Sequence, residues 1–80
     1  MTLIELQEKL NIMKIPQIFY RLDGGTPNEA YCIGYYKGKW EVYYSEKGNK
    51  TELKKFHSEI EACNYFYSSF TKLLKEMELF

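Results

Sequence analysis

Residues 29–45, EAYCIGYYKGKWEVYYS, hold two aromatic-rich runs separated by Lys37-Gly38. A pair of this kind between alternating strands reads as a two-residue hairpin turn. With the turn there, Tyr36 falls opposite Lys39, Tyr35 opposite Trp40, Ile33 opposite Val42 and Tyr31 opposite Tyr44. One sheet face then carries Tyr31, Ile33, Tyr35, Trp40, Val42 and Tyr44, with Trp40 expected as a core anchor. The other carries Ala30, Cys32, Gly34, Tyr36, Lys39, Glu41, Tyr43 and Ser45. Such segregation belongs to an antiparallel sheet with one covered side. A slip of one residue would exchange the faces, so the pattern specifies the register.

Upstream, residues 22–33 read LDGGTPNEAYCI, with adjacent glycines, Pro27 and the acidic pair Asp23 and Glu29. A phosphate-cradling loop needs spaced glycines leading into a helix whose amides face the anion. Here the chain runs into a strand-like segment, and two carboxylates would repel a phosphate. Residues 23–28 are therefore expected to connect strands, glycine permitting positive φ and proline fixing φ while removing a donor. Gln17–Leu22 is expected as the strand before them, with Ile18, Tyr20 and Leu22 pointing one way. Thr2 and Glu5 have the spacing of a capping box. They open a helix with Leu3, Leu6, Leu10 and Met13 on one face, stopped ahead of Pro16.

Downstream, SEKGNK (45–50) is a second turn, and Thr51–Phe56 is expected as a short edge strand with Leu53 inward. Its lysines suit an edge that must not pair with another chain. Ser58 and Glu61 repeat the capping-box spacing, and Glu59 and Glu61 favour the positive end of a helix dipole. Ile60, Cys63, Phe66, Phe70, Leu73, Leu74 and Met77 then recur at helical spacing, a slab that would cover the apolar sheet face. These elements predict an α+β two-layer sandwich in the order α-β-β-β-β-α. Its sheet is expected to be a meandering antiparallel one, with both helices on one face.

Eighty residues are expected to form one domain over 1–80. A chain of this size buries about two-thirds of its unfolded surface. Eight tyrosines, five phenylalanines and one tryptophan compensate, because aromatics bury the most area per position. Eleven basic and eleven acidic residues leave no net charge, and no bulk field favours nucleic acid or an anionic membrane. No apolar run is long enough to cross a bilayer and no leader pattern opens the chain, so a cytoplasmic location is expected. Cys32 and Cys63 are expected as buried free thiols.

The chemistry-bearing residues are few. His57 is the single histidine and stands just before a helix cap, while Cys63 faces the core, so no nucleophile–base pair is expected. No spacing suggests a metal site or a cofactor, and the acidic pair Glu59/Glu61 is an ordinary dipole partner. The reading is non-enzymatic.

Helix, three strands and helix is also the order of double-stranded-RNA-binding domains. Those need lysines at the start of the second helix to grip phosphates. This chain has the acidic SEIEAC (58–63) there, and Lys47, Lys50, Lys54 and Lys55 are diluted by Glu46 and Glu52. What remains is binding to protein. With both helices on the aromatic face, the opposite face is expected to lie open. It would present Tyr36, Lys39, Glu41 and Tyr43, with Phe19 and Arg21 as further candidates and the loop bearing Asp23 and Glu29 extending it. Tyrosine supplies contact area at interfaces and the charges set specificity.

Leu22-Asp23-Gly24-Gly25 with Pro27-Asn28-Glu29, then GKWEVYYSE (38–46) with Gly48, then Phe56, Ser58-Glu59 and Ala62-Cys63, resemble a family of small bacterial immunity proteins from polymorphic toxin systems. The resemblance spans residues 3 to about 75. It implies a cytoplasmic protein that neutralises a cognate toxin domain by protein–protein contact, needing no cofactor. Immunity proteins against nucleases are often strongly acidic, and this chain is neutral, so the resemblance leaves the toxin's activity open.

Overall fold

The hairpin forms in the register that its sequence dictates. In the computed structural model, which describes residues 1–78, β2 (Glu29–Tyr36) and β3 (Lys39–Glu46) pair antiparallel with Tyr31 opposite Tyr44, Ile33 opposite Val42 and Tyr35 opposite Trp40. Lys37 (φ 48) and Gly38 (φ 82) both occupy the left-handed region. That is the two-residue turn whose twist matches the flanking strands. Lys47 (φ 49) and Gly48 (φ 80) repeat it, and β4 (Asn49–Phe56) follows, longer than its sequence suggests.

The remaining elements are α1 (Leu3–Ile12), a 3₁₀ turn (Gln17–Phe19), β1 (Tyr20–Arg21) and α2 (Glu59–Glu76). The fold is α+β in the order α-β-β-β-β-α, with the strands in sequence order β1-β2-β3-β4. Thr2 and Glu5 close a reciprocal capping box on α1. Ser58 accepts from the Glu61 amide at the start of α2 and donates to the Glu61 carboxylate at 3.0 Å. Glu59 instead reaches across to take the Leu3 amide at 2.7 Å, which pins the two helix N-termini together.

The sheet is mixed where an all-antiparallel one is expected. The Phe19 amide bonds to the Pro16 carbonyl and closes a 3₁₀ turn, which takes up the first half of the anticipated strand. Only Tyr20 and Arg21 remain, and they pair parallel to Tyr31 and Cys32. Ile18, expected to point the same way as Tyr20, is exposed while Tyr20 is buried. A parallel pair ordinarily needs a crossover of about a dozen residues or more. Residues 22–28 suffice because β1 is so short and the chain returns across the sheet's outer face.

One apolar core joins Leu6 and Leu10 of α1, Tyr31, Ile33 and Val42 of the sheet, and Ala62, Cys63, Phe66, Phe70 and Leu74 of α2. The Tyr31 ring stacks on Phe70 at 5.4 Å and packs against Phe66 at 5.0 Å. Trp40 is half-buried, not a central anchor, because it stands at the hairpin's turn end beside Tyr35, which is 64% exposed. Ile60 lies outside the covered stripe and is exposed.

Leu53 also turns outward. Phe56 opposite Trp40 sets which residues of β4 face the helices, and Leu53 has the opposite parity. Between Val42–Lys54 and Tyr44–Thr51 the ladder slips, so Glu52 and Leu53 together oppose Tyr43. This is a bulge, with Glu52 in the left-handed region at φ 53.

Candidate functional site

The outer face, expected to lie open, is roofed by residues 22–28. The Gly24 amide donates to the Ile33 carbonyl at 2.9 Å. Farther along, the Tyr43 hydroxyl donates to the Gly25 carbonyl and Ser45 Oγ to the Pro27 carbonyl, each at 2.6 Å. Ala30, Cys32 and Tyr43 form a small second core beneath this strap.

Two of the predicted binding residues are therefore corrected. Tyr43 is 1% exposed and Glu41 is 4% exposed. Glu41 is occupied by Lys50, whose Nζ lies 2.8 Å from Oε1. The same ammonium sits 4.3 Å from the Tyr36 ring centroid and 4.9 Å from that of Tyr43, a cage built and filled by the chain itself. Tyr36 stays exposed and Lys39 half-buried. Lys39 Nζ lies 3.0 Å from His57 Nδ1, which must accept because an ammonium has no lone pair. Of the further candidates, Phe19 packs on the core under the helices. Arg21 pairs with Asp23 at 2.7 Å, and that hydrogen bond holds the Asp23 carboxyl below its ordinary value.

Nor do Asp23 and Glu29 meet. The strap places Gly24 beside Ile33, four positions along β2 from Glu29, a distance of roughly 13 Å at ordinary strand rise. Glu29 belongs to the opposite end of the sheet, directly across from Glu46.

That end holds a cavity of about 370 Å³ between the sheet and the last turns of α2. Tyr31, Tyr44 and Phe70 line it, with Leu73 and Leu74 of α2, Met77 at the C-cap of that helix and Phe19 of the 3₁₀ turn. Glu29, Glu46 and Glu52 also line it, all three exposed. Glu29 and Glu46 share the parity of Tyr31 and Tyr44, so the pleat carries them to the helix side. The bulge contributes Glu52 from the neighbouring strand. Burial first, then the charges of Glu29 and Glu46, push the Tyr44 phenol above its ordinary value. Among the described residues none of these glutamates has an ion-pair partner, and no lysine or arginine lines the cavity.

The hairpin register contains this site in outline. Carried past Ala30–Ser45 by one pair, it sets Glu29 opposite Glu46 on the helix face. Two like charges facing across a sheet are a signal, because the arrangement is destabilising. The bulge that adds Glu52 leaves no such trace.

Cys32 and Cys63 are free and buried, and burial pushes each thiol up to about 11. Among the described residues no three His, Cys, Asp or Glu side chains gather at a metal-binding spacing. No helix among them is long and apolar enough to cross a membrane. Compared with protein-family models, curated proteins and solved structures, the chain has no significant match, so the resemblance to immunity proteins stands on the motifs of its sequence alone.

Proposed function

We propose that this protein is a non-catalytic immunity protein that binds a cognate bacterial toxin domain by direct contact and neutralises it in the cytoplasm. The observation that carries the reading is the cavity beside Tyr44, apolar within and edged by three glutamates that have no ion-pair partner among the described residues. Concave apolar surface with a few polar groups at its margin is the usual character of a binding site. The non-catalytic reading is supported by the two thiols, which burial holds protonated.

The test is affinity capture from the native host with the tagged protein as bait, followed by co-expression of whatever toxin domain is recovered. Recovery of a secreted protein through its C-terminal domain, and rescue of growth when the two are expressed together, is the expected result. Recovery of RNA or ribosomes that wash away in high salt would overturn it in favour of nucleic-acid binding.

A further inference from the structure

We infer that the cavity docks a basic, apolar-tipped segment of the partner protein, seating one large aliphatic or aromatic side chain between flanking lysines or arginines that meet Glu29, Glu46 and Glu52. This rests on the reading of the chain as a protein-binding module and names the chemistry of what it binds.

Three features select that occupant. The interior is apolar, with Tyr31, Phe70 and Leu74 drawn from the core itself, and at about 370 Å³ it falls in the range of sites that enclose a ligand. The charge at the rim has one sign. Glu29 faces Glu46 directly across the β2–β3 ladder, an opposition that costs stability and goes unrelieved within the described chain. Finally, the last turn of α2 forms one wall, and the carbonyls of a helix C-terminus favour cations. Lys50 lies on the other face of the sheet, held by Glu41.

Backbone strain gathers at the same rim. Glu52 occupies a left-handed conformation that a non-glycine residue adopts at a cost, in a bulge that re-aims its strand beside the cavity. A phosphate-rich partner or an anionic lipid would meet three carboxylates. A segment bearing lysine or arginine beside a leucine or phenylalanine would satisfy floor and rim together.

The experiment titrates the full chain with three blocked peptides, Gly-Lys-Phe-Lys-Gly, Gly-Glu-Phe-Glu-Gly and Gly-Lys-Ser-Lys-Gly, followed by NMR shifts. Saturable binding of the first alone is expected, with shifts confined to Tyr44, Leu73, Met77 and their neighbours and weakening as salt rises. The Glu46→Gln/Glu52→Gln double variant should bind about tenfold more weakly. Glu46→Gln by itself should raise the melting temperature, because it removes the like-charge opposition. A gain in stability with a loss of binding separates a functional role from a structural one.

Equal binding of the Glu-Phe-Glu or Lys-Ser-Lys peptide, shifts centred elsewhere, or no saturable binding would overturn the inference. So would concentration-dependent shifts of the cavity residues without peptide, which would mean that a second copy fills it. Peptide binding without any toxin partner in the host would refute the toxin reading alone. A captured toxin whose affinity ignores the double variant would refute the docking inference alone.

Discussion

Gly24 packs its Cα against Gly34 so closely that a Cβ added to Gly34 would stand 2.6 Å from it. This contact answers why the chain keeps glycines on both sides. Gly24 and Gly25 need positive φ, at 75° and 88°, to fold the strap back, while Gly34 needs only its missing side chain. Gly34→Ala should therefore lift the strap and cost about 1–3 kcal/mol, the usual range for overpacking. Denaturant unfolding measures the loss. Faster labelling of Cys32 than of Cys63 by a thiol reagent would show that the strap has moved.

Lys50 and Glu41 form the second relationship on that face. The carboxylate is nearly inaccessible, so removing its cation strands a buried charge. Lys50→Met is expected to destabilise by about 1–3 kcal/mol. Adding Glu41→Gln should recover part of that loss, because the stranded charge is then gone. A double-mutant cycle that sums without coupling would show that the pair is not the source.

Position within the core ranks the aromatic residues. Phe70 is 1% exposed and touches Tyr20, Tyr31 and Phe66, so Phe70→Ala should cost about 3–5 kcal/mol. Trp40→Ala should cost distinctly less, since the half-buried indole already meets solvent. Equal losses in thermal or denaturant unfolding would mean that the hairpin end is as well packed as the centre.

Alkaline pH should erode stability. Burial pushes the Cys32 and Cys63 thiols from an ordinary 9.0 to about 11, and burial pushes the Tyr43 phenol from 10.0 to about 12. Each folded value lies above the unfolded one. The unfolded chain therefore loses its protons first, and the stabilisation is intact below pH 9 and declines as pH rises through 9 to 12. Denaturant midpoints across that interval should fall, and Cys63→Ala should make the fall shallower.

Much of this architecture is written in local patterns. Alternation of aromatic and small residues around Lys37-Gly38 determines the β2–β3 register, because a one-residue slip would turn Ile33 and Val42 away from the helices. Spacing of Thr2 to Glu5 and of Ser58 to Glu61 determines where the helices begin, since orphan amides need nearby acceptors. Tertiary structure decided everything that depends on where a loop travels. Nothing in LDGGTPN states that the strap lies over Tyr43 and Ser45 instead of turning a hairpin, so Tyr43 and Glu41 read as open when they are covered. The acidic cavity likewise needs β2, β3, the β4 bulge and the end of α2 to meet. Periodicity assigns a side chain to a face, but which end of that face stays uncovered depends on how far a helix from a distant part of the chain reaches across it.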